Sequence, residues 1–257
     1  MESEGAASDP NDGGRSRTTH RRCGAAPYRE VAGHDLADAL ALYQWNMQMA
    51  AAFQEVLGFV EVGVRNAIDA ELRIWNPGRG NDVATGEQYP VDWTVNPAPP
   101  LRGLVKRAVV QAQVHAERAR DSRHPGHHRK TAAITHDDVV AQLSFSLWPK
   151  LLPDPQKALS GNPNLWSAAL VYAFPQAAGN SANQVLAVPA VKLVHARLIR
   201  LVKLRNRVAH MEPLLDVNIA ARLTDCLQVL GYMSPQARDW CAGVSRVTAV
   251  GNARPEM

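Results

Sequence analysis

The chain of 257 residues is 46% hydrophobic and 20% charged, a globular balance that excludes wholesale disorder and a fibrous repeat. Aromatic residues make up only 6%, and Ala, Leu and Val are abundant, which favours helices over a β-sandwich. The formal net charge of +4 is uneven: residues 102–130 carry eight Lys/Arg against Glu117 and Asp121, residues 190–210 carry six and no acid, and the remainder is acidic.

In chain order, residues 1–26 are rich in Gly, Ser and Asp, then in Arg, and lack apolar periodicity; they read as a disordered tail. A helical domain is predicted over 27–250, with a flexible C-terminus over 251–257. The first long helix is predicted from Asp35, its N-cap, to Trp75. Its apolar stripe is read through Leu36, Leu40, Tyr43, Met47, Ala50, Leu57, Val64, Ile68 and Trp75, with Gly58 and Gly63 as points of bending or division. Residues 76–100 hold five of the 17 prolines, together with Gly78, Gly80 and Gly86, and form a loop that Trp93 pins to the core.

A basic helix follows over about 100–120, then a Ser/His/Pro/Gly loop to 135. Thr135 and Asp138 form a capping box for a helix over about 136–151. Further helices are predicted over 164–174, from Pro189 to about Glu212, over 216–231 with Gly231 just past its end, and from Ser234-Pro235 toward Val244. With no alternating strand pattern, the fold class is all-α. No run of 18 apolar residues reads as a membrane span, and Glu2 and Glu4 without an apolar run argue against a signal peptide. Cys23, Cys226 and Cys241 form no CxxC pair; a disulfide framework is not expected, and a cytoplasmic location fits.

Chemistry concentrates in the helix over 190–212. Val191, Val194, Leu198, Leu201 and Val208 recur at three and four residues, and the same series passes through Arg205. A guanidinium on such a seam requires a carboxylate or a bound anion. Asn206 and His210 are four apart and share a face, with Arg205 one residue round the helix. A cation, an amide and an imidazole suit metal-free RNA cleavage. The imidazole moves a proton at the ribose 2′-OH or the 5′-oxygen, the cation neutralises the phosphorane, and the amide orients the reacting groups. The plainer alternative pairs Arg205 with a core carboxylate and leaves His210 capping carbonyls.

The segment Arg205-Asn206-Arg207-Val208-Ala209-His210, followed by Met211-Glu212-Pro213, resembles the RN(R)xxH signature of the HEPN superfamily, and more closely its Abi-like (abortive infection) branch. Glu61-Val62-Gly63-Val64-Arg65-Asn66-Ala67-Ile68 is similar to that branch's ExxxRNxI segment. The stretch from Leu143 to Leu152 is similar to its LSFxxWxxLL segment, and Leu165-Trp166, Ser234-Pro235, Trp240 and Ser245-Arg246-Val247 fall in the expected order.

The resemblance implies a helical bundle, commonly a homodimer with the motif helices of two copies facing each other. It implies a metal-independent endoribonuclease of toxin or phage-defence type, acting on single-stranded RNA by 2′-OH attack, with Arg205, Asn206 and His210 as catalytic residues. No cofactor or metal is implied; the partners are RNA, a second copy, and an antitoxin or regulatory protein. Other members only bind RNA or a protein partner. Where relatives often carry a second His after the motif His, this chain has Met211, a departure that favours the silent alternative.

Glu61, Arg65 and Asn66 are supporting candidates: Glu61 either pairs with Arg65 along the helix or orients Arg205 or His210 from the facing one. Arg102, Lys106, Arg107, Arg200, Lys203 and Arg207 are candidate RNA-binding residues, the two basic segments being expected to form one surface. His124, His127, His128 and His136 read as a solvated loop rather than a metal site. Phe145, Trp148, Trp166, Tyr172 and Trp240 read as core or dimer-interface residues.

Overall fold

The computed structural model describes residues 24–154, 163–177 and 188–256, so most of the expected tail, residues 1–23, lies outside the described residues. Among the described residues ten helices follow in order: α1 (Ala26–Val31), α2 (Leu36–Trp75), α3 (Leu101–Asp121), α4 (His136–Gln142), α5 (Trp148–Leu151), α6 (Pro163–Ala168), α7 (Val188–Ala209), α8 (Ile219–Met233), α9 (Pro235–Val244) and α10 (Val247–Asn252). Among the described residues the sole β pairing is an isolated bridge between Asn81 and Gln88. The fold is all-α, and no described helix is long and apolar enough to cross a membrane.

Side-chain caps open α2, α4, α8 and α9. Asp35 accepts the Asp38 N–H at 2.9 Å, Thr135 and Asp138 close a capping box, and Asn218 and Ser234 cap α8 and α9. The helix predicted over 136–151 is broken at Leu143 and resumes through a 3-10 turn as α5. Pro149 has no N–H for Phe145 and clashes with a helical carbonyl four residues back, so it falls in the first turn of a new helix. Gly231 lies inside α8 rather than past its end. A Cβ there would come within 3.2 Å of the Arg238 side chain, so glycine lets α9 approach closely.

Helix α2 is continuous through Gly58 and Gly63 and organises the core, with α1, α7, α8 and α10 packed along it. Its buried face differs from the predicted stripe at the N-terminal end. Leu36, Leu40 and Tyr43 are exposed, while Ala39, Leu42, Trp45, Asn46, Met49 and Phe53 point inward. Both series have helical spacing; in the inward one Ala39 and Leu42 pack with Tyr28 of α1, and Trp45 meets Val250 of α10. The C-terminus is anchored: the Trp45 indole donates to the Val250 carbonyl at 2.9 Å, and the Arg254 guanidinium lies 5.1 Å from the Trp45 ring centroid and donates to Leu215 O. The flexible segment expected over 251–257 therefore gives way to a docked one as far as Arg254.

The loop over 76–100 is held by buried polar groups. The Asn76 amide donates to Pro90 O and Asn96 O, and its oxygen accepts the Ala98 N–H. Trp93 is fully buried and pins the loop as expected, donating its indole N–H to Asp69 Oδ1 at 2.8 Å. That same oxygen lies 2.8 Å from His136 Nε2, and His136 Nδ1 lies 2.8 Å from Thr94 Oγ1. His136 thus locks α4 to α2 and the loop, and does not belong to a solvated segment.

Removing Asp69 strands two buried donors at once. Asp69→Ala should cost about 3 kcal/mol, the penalty of unmatched buried polar groups. Thermal unfolding should show a melting temperature lower by roughly 6–12 °C.

Candidate functional site

Helix α7 ends sooner than predicted, at Ala209, and its end is specific. Met211 N–H bonds to Val208 O at 3.2 Å and Glu212 N–H to Arg207 O at 2.8 Å, with Met211 at φ +53°. This is a Schellman closure, in which the left-handed position usually belongs to glycine. His210 is the C-cap residue. Beyond it, the buried Asn46 of α2 accepts the Leu214 N–H at 2.6 Å, and Arg207 holds Pro213 O and pairs with Asp216 at 2.7 Å. The turn after α7 is therefore fixed from three sides.

This turn forms one end of a groove of about 890 Å³. Lys203, Asn206, Arg207 and His210 of α7, then Met211, Glu212 and Pro213, line one wall; Tyr43 of α2 and Tyr28 and Gly24 at α1 line the other. Neither the Asn206 amide nor the His210 imidazole makes a side-chain hydrogen bond among the described residues, and both side chains are exposed to the groove. Amide and imidazole are brought together as the spacing of four predicts.

Arg205 is placed elsewhere. Its side chain is 38% exposed rather than buried, and its Nε lies 3.6 Å from Glu61 Oε2. The buried seam of α7 runs through Leu204 to Val208 instead. Arg205 and His210 leave the helix about 140° apart, and Glu61 sits five turns from Tyr43, about 27 Å along α2. Within one chain Arg205 does not converge with His210. Glu61 serves Arg205, one of the two roles expected for it, while Arg65 donates to Asn66 Oδ1 at 3.4 Å on its own helix.

Three of the six cations expected to hold RNA are engaged within the chain. Arg200 makes a bidentate pair, at 2.8 and 2.6 Å, with Asp225, which is also met by Arg222 at 2.9 Å and Arg197 at 3.7 Å. The bond to Asp225 raises the Arg200 pKa above its ordinary value. Arg102 bonds to Asp82 at 2.5 Å, to Asn96 and to Pro97 O, and Arg207 is held as described. Lys106, Arg107 and Lys203 have no carboxylate partner among the described residues. Lys106 and Arg107 border a separate hollow with Pro99 and Pro100, sharing no lining residue with the groove. Lys203 on the one hand and Lys106 and Arg107 on the other thus border different hollows.

Among the described residues no three of His, Cys, Asp and Glu gather as metal ligands. His127 stacks on His128, its pKa lowered by burial, then by His128, Arg123 and Arg129. Phe145, Trp148 and Trp166 are core residues, whereas Tyr172 and Trp240 are exposed, Trp240 edge-on to Phe59. Tyr28, which none of the sequence patterns above singles out, lines the groove, and Tyr43, expected in the core, is exposed. The available signals were Pro27, which opens α1, and the competing series through Trp45 and Phe53. Compared with protein-family models, with curated proteins and with solved structures, the chain matches none.

Two outcomes follow from this geometry. Met211 is 58% exposed in a left-handed conformation, so Met211→Gly should raise stability by about 0.5–1 kcal/mol, read in denaturant unfolding. Asp82 has its pKa held below the usual carboxylate range by the Ala84 N–H first, then by Asn96 and Arg102. A lowered folded pKa gives stability that is present above about pH 4 and lost as pH falls through the folded value. The melting-temperature gap between wild type and Asp82→Asn should therefore be full at neutral pH and close as pH drops below about 4.

Proposed function

We propose that the chain is an Abi-like member of the HEPN superfamily and a metal-independent endoribonuclease acting on single-stranded RNA. One juxtaposition carries the reading: an amide and an imidazole, neither with a side-chain hydrogen bond among the described residues, face one groove beside Lys203. His210 takes the proton from a ribose 2′-OH, or gives one to the leaving 5′-oxygen, as the 2′-oxygen bonds to phosphorus and the 5′-oxygen departs. Asn206 orients the nucleophile, and cationic side chains stabilise the charge on the phosphorane. Arg205 belongs to that task through a homodimer in which the motif helices of two copies face each other, since it does not reach His210 within one chain.

A second reading, an RNA- or partner-binding protein without cleavage, is favoured by two features. Arg205 is drawn to Glu61, and Met211 stands where relatives often carry a second His, in a backbone position set by the helix stop.

Incubating purified protein with single-stranded RNA in EDTA separates them. The enzyme should cleave, and His210→Ala should lower the rate by about 10²–10⁴-fold while RNA is still bound. Salt-sensitive binding with no cleavage by wild type would establish the second reading instead.

A further inference from the structure

Tyr43 is 46% exposed, and its position is defined by the ring beneath it. Tyr28 of α1 is 2% exposed and meets Tyr43 with ring centroids 5.3 Å apart and planes at 90°. In an edge-to-face pair at most one face of either ring is used, so Tyr43 keeps at least one face free of Tyr28. Tyr28 packs with Ala32, Ala39 and Leu42, so the support is part of the core and not a surface contact. Burial first, and Tyr43 next, push the Tyr28 hydroxyl above its ordinary value, so no phenolate lies under the groove.

The groove therefore combines an oriented, accessible aromatic face with a cation that has no carboxylate partner among the described residues, Lys203, and with the Asn206 amide. An aromatic face takes the flat face of any nucleobase, and an ammonium on a flexible stem takes the phosphate beside it. Duplexes keep their bases stacked inside, so this combination selects an unpaired nucleotide.

We propose that Tyr43, propped by Tyr28, is the base-stacking platform of a nucleotide subsite in this groove, with Lys203 holding the adjoining phosphate of a single-stranded RNA. The assignment rests on the RNA reading above but not on cleavage. The platform accepts purines and pyrimidines alike, because it offers a face and no hydrogen-bond pattern. It is a positioning device: it sets which nucleotide lies against Asn206 and His210 and takes no part in proton transfer.

The test is fluorescence anisotropy of the full chain with fluorescein-labelled decamers of 2′-O-methyl uridylate and 2′-O-methyl adenylate, in which 2′-OH attack is blocked. Tyr43→Leu keeps an apolar contact on Tyr28 but has no aromatic face; it should weaken binding of both oligomers by about 5–100-fold, with the salt slope unchanged. Tyr43→Trp and Tyr43→Phe should bind like wild type. Lys203→Ala should flatten the salt slope by roughly 0.7, one phosphate contact on a single strand. The same wild-type protein is assayed with unmodified RNA in EDTA. Absence of cleavage there overturns the enzyme reading alone, because the subsite is read from binding. Binding by Tyr43→Leu equal to wild type overturns the subsite, whether or not the protein cleaves; failure of wild type to bind either oligomer overturns it together with the RNA reading.

Discussion

A helix of 40 residues, about 60 Å long, presents more apolar surface than any one neighbour can cover. The fold is arranged around that constraint. α1 and α10 cover the N-terminal third of α2, α7 and α8 its middle, and the pinned loop its C-terminal end. Each cover is tied down by a polar bond where a side chain enters the core: Tyr28 aside, Trp45 reaches Val250, Asn46 reaches Leu214 and Asp69 reaches Trp93 and His136. The groove lies where two covers, α1 and the end of α7, leave α2 between them.

Electrostatics sharpens that placement. Asp225 is nearly buried on α8, and a carboxylate in that position requires close cations. Arg197, Arg200 and Arg222 surround it, which fastens α7 to α8 and takes two cations of the basic segment over 190–210 away from ligands. Arg205 and Arg207 are likewise met by Glu61 and Asp216. Four of the six cations in that tract, Arg197, Arg200, Arg205 and Arg207, thus face carboxylates, and the end of the helix carries Lys203 and His210 into the groove. Formal charge along a segment overstates what a polyanion would meet.

What the sequence disclosed was what local chemistry decides. The caps at Asp35, Thr135 and Ser234 involve residues three apart, and the amide–imidazole pair at 206 and 210 follows from helical pitch alone. The misses came from partners distant in the chain. At the N-terminal end of α2 two apolar series run one residue apart, and only the packed neighbours choose Leu42 over Tyr43; in α7 the expected Val191, Val194, Leu198, Leu201 and Val208 are all buried, and the seam departs from expectation only in passing through Leu204 rather than Arg205. Gly231 looks like a helix stop until Arg238 of the next helix is laid against it. Likewise nothing near Arg102 or Arg200 in sequence announces Asp82 or Asp225 as its partner.

The bond between the Trp45 indole and the Val250 carbonyl spans 205 residues, with Arg254 closing over the same ring. A chain made from its N-terminus exposes Trp45 long before Val250 and Arg254 exist to cover it. At about 5–20 residues per second of synthesis, that face of α2 waits on the order of 10–40 seconds for its C-terminal cap. The Arg254 bond to Leu215 braces the turn beside the groove from the same late segment. On the ribosome, then, the turn beside the groove gains this brace only once Arg254 has been made, well after the residues of both groove walls.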